Sequence, residues 1–309
     1  MATDTILAPL DVSAVEPRRF AGCGNWSDYW AITKPEVNFL IAITTAVSFY
    51  VASPAGVSQV PWAALLHTLA GTVLVASGAA TLNQWMEHPF DARMRRTARR
   101  PIAAGRIKPV RALIFGMLLS LGGIAYLAVA ANILTSLLAA FTLLNYLFLY
   151  TPAKRITPLC TLIGAIPGAL PPLIGWTAAR GRLTADAWVL FAIVFFWQFP
   201  HFMAIAWMYR EDYARAGYLV LPRHELRDRF VTWQTVLPAI ALLAVGLIPA
   251  TRGVSGPVHF CGSLVLGAIF LYYSTRFAFF RSTVAARRLL AASIIYLPAI
   301  LALMWLTKK

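Results

Sequence analysis

Long apolar segments alternate with short polar ones along nearly the whole chain. Nine segments are almost free of charge, at 36–53, 62–83, 110–130, 133–150, 157–178, 186–208, 231–250, 258–279 and 288–307. About 20 apolar residues is the length that an α-helix needs to cross a bilayer. The segments are continuous and show no alternation with a period of two, which favours helices over a β-barrel. We therefore predict an all-α integral membrane protein with nine transmembrane helices in a single bundle around a central cavity.

The composition agrees with this pattern. Of the 309 residues, 59% are hydrophobic and only 13% are charged, whereas a soluble domain carries about 25% charged residues. The three cysteines (Cys23, Cys160 and Cys261) are too far apart to suggest a disulfide framework or a zinc site. The first 35 residues contain no apolar segment, so no cleavable signal peptide is expected. We assign residues 1–27 to an N-terminal cytoplasmic tail and 28–309 to one transmembrane domain.

The basic residues predict the orientation. With the N-terminus in the cytoplasm, all of the 27 basic residues except Arg180, Arg182, Arg252, Lys308 and Lys309 fall on the cytoplasmic side. The positive-inside rule therefore places the N-terminus in the cytoplasm, and an odd helix number places the C-terminus on the opposite side of a bacterial-type plasma membrane. The cavity is then expected to open towards the cytoplasm. Topology explains most of the net charge of +15, so no nucleic-acid partner is predicted.

The first long polar connection, roughly 84–109, begins with regularly spaced oxygen ligands. Asn83, Glu87 and Asp91 follow one another at four-residue intervals, so on a helix they project from one face. Two carboxylates and an amide oxygen suit Mg²⁺, which completes its coordination with water and phosphate oxygens. The alternative is an acid pair solvated at the membrane surface and neutralised by nearby arginines. Pro89 is expected to kink or end the helix, in which case the two acids would converge across a break.

Basic residues and a second acidic pair extend this pattern. Eight basic residues lie between 93 and 111, and arginine forks match phosphate oxygens, although the positive-inside bias alone would also place arginines there. In the second long connection, roughly 209–230, Glu211 and Asp212 follow the sixth span. An acidic pair in a loop is commonly solvated, but opposite the first cluster it would supply a second pole for a metal.

Two apolar segments contain features that are costly in a membrane. Gln198, Pro200 and His201 lie inside the sixth span, and intramembrane polar groups are candidates for function, although a helix-packing histidine is an equally simple explanation. The segment 168–176 is rich in proline and glycine and is expected to be irregular, which a protein tolerates at membrane depth only beside a cavity or inside its core.

These segments together resemble the UbiA-type intramembrane prenyltransferases over roughly residues 28–307. The resemblance is carried by NQWMEHPFDARMRRTARRPIAAGRI (83–107), YTPAKRITP (150–158), GAIPGALPPLIGW (164–176), FWQFPHFMAIAW (196–207) and REDYARAGYLVLP (210–222). The Asn-x₃-Asp-x₃-Asp motif of the superfamily matches Asn83, Glu87 and Asp91. The Arg-Pro-x₃-Gly-Arg motif matches residues 100–106. The chain departs from the pattern at Glu87, at a second acidic motif reduced to Glu211–Asp212, and at Gly-Tyr-Leu-Val-Leu-Pro, where Gly-(Ile/Val)-Pro-Met-Leu-Pro is commoner.

Within the superfamily the chain is similar to the branch that farnesylates haem b. The resemblance implies transfer of farnesyl from farnesyl diphosphate to a vinyl group of haem b, with addition of water, in a lipid bilayer. It implies Mg²⁺ as cofactor and a haem A synthase as a candidate partner. The implied residues are Asn83, Glu87, Asp91, Glu211 and Asp212 for catalysis, all but Glu211 as metal ligands; Arg93, Arg100, Lys154 and Arg155 for the diphosphate; and His201 as haem ligand or propionate contact.

Three alternatives remain at this stage. A prenyltransferase acting on a quinone or chlorophyll precursor would share the acidic motif. A small-solute transporter would also combine many spans with intramembrane polar groups, but it predicts polar sites on both faces, whereas the paired acids all lie on one. A purely structural role leaves the spacing of the acids unexplained.

Overall fold

The computed structural model describes residues 24–54, 59–222, 225–251 and 256–308. Within these ranges the helices are α1 (Trp26–Ile32), α2 (Pro35–Ala52), α3 (Trp62–Asp91), α4 (Pro109–Ala130), α5 (Ile133–Leu144), a π-helical turn (Asn145–Tyr150), α6 (Thr151–Ala153), α7 (Cys160–Gly168), α8 (Pro171–Arg180), α9 (Ala185–Met208), α10 (Arg210–Arg215), α11 (Glu225–Thr251), α12 (Pro257–Phe280) and α13 (Thr283–Thr307). They form nine candidate membrane spans, with 133–153 and 160–180 each counted as one. The predicted number of spans is confirmed, and the chain is a multi-pass membrane protein.

The second span is longer than predicted. We expected Pro89 to kink or end the helix, but α3 continues through Pro89 to Asp91, so the predicted break between the acids is wrong. Proline removes the donor that would serve the carbonyl of Trp85, and the ring Nδ1 of His88 donates to that carbonyl instead, at 2.6 Å. Because a side chain replaces the missing backbone donor, the helix remains intact as far as the second acid.

The fifth span is irregular, as predicted. It consists of α7 and α8, separated at Ala169 and Leu170. Side chains from neighbouring helices cover carbonyls on either side of the break: Gln198 of α9 donates to Ala165, and Ser48 of α2 donates to Pro172. Gly175 lies directly against the Thr45 carbonyl of α2, where a Cβ would collide with backbone. The break is therefore buried in protein, as a non-helical segment at this depth requires.

Helix packing divides the bundle into two groups. In the first group, α3 packs closely on α4, so that a Cβ on Gly78 would collide with Ser120 and the Gly116 carbonyl. Small residues commonly allow such close approach of helices in membranes. α9, α11, α12 and α13 form the second group around a large apolar core. α2 and α8 contact both groups. Many large apolar side chains on the outer surface are exposed, among them Leu118, Val129 and Ile295, as lipid-facing positions should be.

The polar connections meet at one end of the bundle. This end carries the last residues of α3, α6 and α9 and the first residue of α4; we call it the polar end and define it by segments 92–108, 154–159 and 209–222. The helix α1, which was not predicted, is also tied to it, because Asp28 pairs with Arg106 at 2.8 Å. Residues 1–23 of the predicted tail lie outside the described residues.

Candidate functional site

The three predicted oxygen ligands of α3 lie on one continuous helical face and are all buried. Asn83 is 1% exposed, Glu87 6% and Asp91 1%. Burial of two carboxylates is costly unless each is paired or coordinated. Because Glu87 and Asp91 are buried, they are not the solvated acid pair considered above as an alternative. The groups that pair with these acids determine the chemistry of this helical face.

Glu87 is paired with a lysine from the fourth span. Lys154 Nζ lies 2.9 Å from Oε1 and 3.2 Å from Oε2 of Glu87. Burial is the largest single effect on Lys154 and lowers its pKa, but the Glu87 carboxylate, together with the phenols of Tyr150 and Tyr146, more than offsets it, so that the pKa of Lys154 lies well above its ordinary value. Lys154 follows the π-helical turn, and the same region delivers Thr151, whose hydroxyl accepts a bond from Asn83 Nδ2 at 3.1 Å.

Asp91 has one occupied and one open oxygen. Arg100 Nη1 donates to Oδ2 at 2.7 Å, and the Thr97 hydroxyl donates to the Asp91 backbone carbonyl at 2.9 Å. Oδ1 is buried and has no hydrogen-bond partner among the described residues. An unpaired buried carboxylate oxygen is rare in native structures, and it is suited to a metal ion or to a ligand that brings a donor.

Lys34 belongs to this site, although the sequence did not identify it as a site residue. Its backbone is left-handed, with φ 53°, and its Nζ donates to Asn83 Oδ1 at 3.4 Å. Burial, and then the positive charges of Arg100 and Lys154, lower the pKa of Lys34 to about 7. In the sequence this lysine precedes an apolar span, and the positive-inside rule was sufficient to explain it.

The second acidic pair separates into a buried and an exposed member. The side chain of Glu211 is 81% exposed and lies 3.8 Å from Arg210. Asp212 is buried; it pairs with Arg215 at 3.2 Å and accepts from the Arg96 backbone amide at 3.4 Å. Of the two predicted acids, Asp212 is therefore the one that faces the first polar connection.

The two polar connections are joined at the polar end. The Leu219 amide donates to the Lys154 carbonyl at 2.7 Å, and the rings of Tyr218 and Phe90 lie 5.8 Å apart. Phe90 also packs against the small apolar cluster of Met94, Ala216 and Tyr218. The expected approach of the connections is thus observed, and it places the Lys154–Glu87 pair beside the second segment.

The four predicted diphosphate-binding cations occupy two kinds of position. Arg100 and Lys154 pair with the acids of α3. Arg93 and Arg155 both lie over the ring of Phe90, with their guanidinium carbons 6.0 and 4.7 Å from its centroid. Phe90 itself lies between Glu87 and Asp91 in the sequence. The last arginine of the Arg-Pro motif, Arg106, is engaged elsewhere, with Asp28 and the Arg99 carbonyl.

His201 lies on a different helix pair. Its Nδ1 is 2.8 Å from the Ser293 hydroxyl of α13, and its half-buried ring stacks on Trp197, with centroids 4.8 Å apart. The indole of Trp197 in turn donates to the Ser293 carbonyl at 2.8 Å. These contacts fix the ring between α9 and α13 of the second helix group.

The donor set fits a hard cation that is shared with a ligand. Among the described residues, no three His, Cys, Asp or Glu side chains come close enough together to hold a metal by themselves. Mg²⁺ commonly takes only one or two carboxylates and fills the rest of its octahedron with water and substrate phosphates. Glu87, the open oxygen of Asp91 and the Asn83 amide provide such a partial set.

Comparisons with known proteins identify the family of this chain. The model of the UbiA prenyltransferase family matches residues 41–305. The chain is 48% identical over 287 residues to a protoheme IX farnesyltransferase of Solibacter usitatus (strain Ellin6076), covering 91% of this chain and 98% of that protein.

Solved structures show the same fold at low identity. A digeranylgeranylglyceryl phosphate synthase superposes with a TM-score of 0.74 at 15% identity, covering 91% of this chain and 97% of that one. A UbiA homologue from Archaeoglobus fulgidus, bound to GPP and Mg²⁺, has a TM-score of 0.57 at 13% identity, with 90% and 99% covered. Because the family model matches residues 41–305 and the relative from Solibacter usitatus is 48% identical, the chain belongs to the UbiA prenyltransferase family.

Proposed function

We propose that this protein transfers the farnesyl group of farnesyl diphosphate to a vinyl group of haem b, with addition of water, to give haem O. The observation that carries the proposal is the buried face of α3, where two carboxylates with their own counter-ions leave Asp91 Oδ1 open. The choice of acceptor is supported by the 48% identity to a protein named for farnesylation of protoheme IX. That similarity favours haem over a quinone or chlorophyll precursor and over solute transport.

We further propose Mg²⁺ as cofactor, held by Asn83, Glu87, Asp91 and Asp212. Support comes from the oxygen donors on α3 and from the UbiA homologue bound to Mg²⁺ and a prenyl diphosphate. When bound there, the ion supplies charge neutralisation for the departing diphosphate. Glu211 is less suited to this role than Asp212, since its carboxylate is largely exposed.

The chain's own cations stabilise the leaving group in this proposal. Arg100 and Lys154 lie at the carboxylates, and Arg93 and Arg155 lie over Phe90 next to them. Positively charged donors that are already in place need no reorganisation as negative charge develops on the diphosphate. Lys34 adds a further donor beside Asn83.

The acceptor and the prenyl chain require a dry environment, because a farnesyl cation exposed to water is hydrolysed. We propose that they occupy a central cavity bounded by α2, α8 and α9 and open at the polar end. The large rings of Trp176 and Trp197 belong to the buried core of these helices. Their faces would stabilise a passing cation, and the apolar surroundings exclude solvent.

His201 is suited to hold the haem iron. The Leu290 carbonyl can only accept, so the contact of 2.6 Å from Ser293 Oγ requires the serine proton. His201 Nδ1, which is 2.8 Å from the same oxygen, must then carry its own proton and donate it. This tautomer leaves the lone pair on Nε2, the atom through which a neutral imidazole binds a metal.

The His201→Ala variant is expected to bind haem b at least about tenfold more weakly, with a shifted Soret band, because the axial ligand is lost. Optical titration of the purified protein measures both quantities. The matched control is His67→Ala, which removes a histidine that bonds to Tyr126. His67 lies near the N-terminal end of α3, whereas Glu87 and Asp91 lie at its C-terminal end. A Soret band and haem affinity that are the same in His201→Ala as in the unmodified protein would exclude His201 as ligand.

The polar end is proposed to face the cytoplasm of a bacterial-type plasma membrane, with the C-terminus on the other side, because basic residues concentrate at that end. One transmembrane domain from about residue 28 to residue 309 would carry the whole activity. A haem A synthase, which consumes haem O, is the partner protein that we expect in the same membrane.

The function is tested by incubating the purified chain with haem b, farnesyl diphosphate and Mg²⁺ and extracting the haems for mass spectrometry. We expect a product with the mass of haem b plus a farnesyl group and a hydroxyl, formed only when all three are present, while the remaining proton of the water leaves with the diphosphate. Prenylation of 4-hydroxybenzoate without conversion of haem b would support the quinone alternative. Consumption of neither acceptor would contradict the enzymatic proposal as a whole.

A further inference from the structure

Tyr218 lies in the second polar connection, shortly after α10. It follows Gly217, which has φ 77°, a conformation that glycine adopts without strain. This turn closes α10: the Gly217 amide bonds to the Ala214 carbonyl at 3.1 Å, and the Tyr218 amide bonds to the Tyr213 carbonyl at 2.9 Å. The chain thereby turns back and directs the Tyr218 side chain into the protein.

The phenol ring is fixed between the two polar connections. It is 6% exposed and packs against Phe90, the α3 residue between the two site acids. On its other side the ring of Tyr213 makes an edge contact at 6.1 Å. The following residue, Leu219, is bonded through its amide to the carbonyl of Lys154. The ring is therefore held from both sides, next to the lysine that pairs with Glu87.

The Tyr218 hydroxyl is buried and makes no well-formed hydrogen bond among the described residues. Glu87 is nevertheless near enough to act on it, both as a charge and as a side-chain acceptor, and Lys154 and Asp91 also contribute. Burial and then the Glu87 charge raise the pKa of Tyr218, so the phenol remains a protonated donor. Lys154 already holds both oxygens of Glu87, and the phenol is not placed to form a normal hydrogen bond with them.

A buried donor without an acceptor is unfavourable unless a ligand supplies the acceptor. We propose that the Tyr218 hydroxyl donates a hydrogen bond to a diphosphate oxygen of the prenyl substrate, making Tyr218 a substrate-binding residue of this site. The inference rests on the proposed function, since it needs a diphosphate at the acids of α3. A neutral hydroxyl suits this position. It can bind the diphosphate anion, and because it carries no charge it does not compete with Arg100 and Lys154 for the carboxylates of Asp91 and Glu87.

The test is the Tyr218→Phe variant, which removes one oxygen and keeps the ring. We expect the affinity for inorganic diphosphate, measured by calorimetry in the presence of Mg²⁺, to fall roughly five- to tenfold. The KM for farnesyl diphosphate should rise by a similar factor. Haem affinity should not change, and the melting temperature should fall little, because the hydroxyl makes no well-formed hydrogen bond among the described residues. The control is Tyr126→Phe, in which the lost hydroxyl partner is His67; its diphosphate affinity should be that of the unmodified protein.

The outcomes separate this inference from the function on which it rests. If the unmodified protein binds diphosphate and farnesylates haem b, but Tyr218→Phe binds diphosphate equally well, only the role of Tyr218 is overturned. If the unmodified protein binds no diphosphate, the proposed site itself fails. A lowered melting temperature with unchanged diphosphate affinity would assign Tyr218 a packing role. Should Tyr218→Phe fail to accumulate, Tyr218→Ile removes the same hydroxyl and carries the same expectation.

Discussion

The Asp91→Asn variant is expected to lose about 10²- to 10³-fold or more in kcat/KM for farnesyl diphosphate while still inserting into the membrane. The amide is neutral and therefore a weaker ligand for Mg²⁺ than the carboxylate, and the oxygen that is buried without a hydrogen-bond partner among the described residues loses its charge. The substitution also releases Arg100, which pairs with Asp91 at 2.7 Å. The rate of haem b conversion, measured at several Mg²⁺ concentrations, checks the prediction.

The second pole of the site is tested in the same assay. Asp212→Asn should lose activity to a comparable degree, because its buried carboxylate faces the first polar connection. The matched control is Asp228→Asn, which removes a half-exposed acid that pairs with Arg281 near the start of α11; it should retain near-normal activity. Wild-type turnover in either Asp91→Asn or Asp212→Asn would contradict the metal assignment.

The second large effect concerns the buried pair of Glu87 and Lys154. Lys154→Met leaves the Glu87 carboxylate buried without its partner, which should lower the free energy of unfolding by about 3–5 kcal/mol. Replacing both residues, in the double variant Glu87→Gln with Lys154→Met, removes the uncompensated charge and should recover most of that loss. Thermal unfolding in detergent measures the stability of the single and double variants.

Activity should not follow stability in this pair. The double variant is expected to remain inactive, because it lacks both a ligand for the metal and a cation for the leaving diphosphate. Equal instability of the single and double variants would show that the two charges are not coupled. Full activity in the stable double variant would remove both residues from the proposed chemistry.

The helical membrane fold was predictable because lipid restricts the choice. A bilayer admits few backbone arrangements, so nine apolar segments predict nine spans, and the broken fifth span was visible in its prolines. The end of α3 was not predictable in this way. The expectation of a break at Pro89 considered only backbone donors, whereas the carbonyl of Trp85 receives its hydrogen bond from the side chain of His88. The attachment of helix α1 to the polar end depends on a partner far away in sequence, since Asp28 reaches Arg106.

The candidate site was predictable as a set of ligands but not as a set of contacts. The four-residue spacing placed Asn83, Glu87 and Asp91 on one face, as observed. Which cation would serve which acid depends on the π-helical turn before Lys154, whose position no local pattern indicates. Lys34 was not identified as a site residue, because the positive-inside rule already explained a lysine at the start of a span. The sequence indicated no role for Tyr218, because its burial beside Glu87 results from the approach of segments that are distant in the chain.

The ion pairs of α3 also bear on how the site is loaded and emptied. Since Lys154 and Arg100 already neutralise the two carboxylates, burial of these acids does not require a metal, unlike in domains in which ion binding and folding are one event. In the function proposed above, a magnesium–diphosphate unit would be held by Asn83, Glu87, Asp91 and Asp212 through the metal and by Arg100 and Lys154 through the phosphates, and the ion would neutralise charge on the diphosphate. The same two cations would remain beside the carboxylates in the empty site, so the loaded and the empty site would both be electrically compensated.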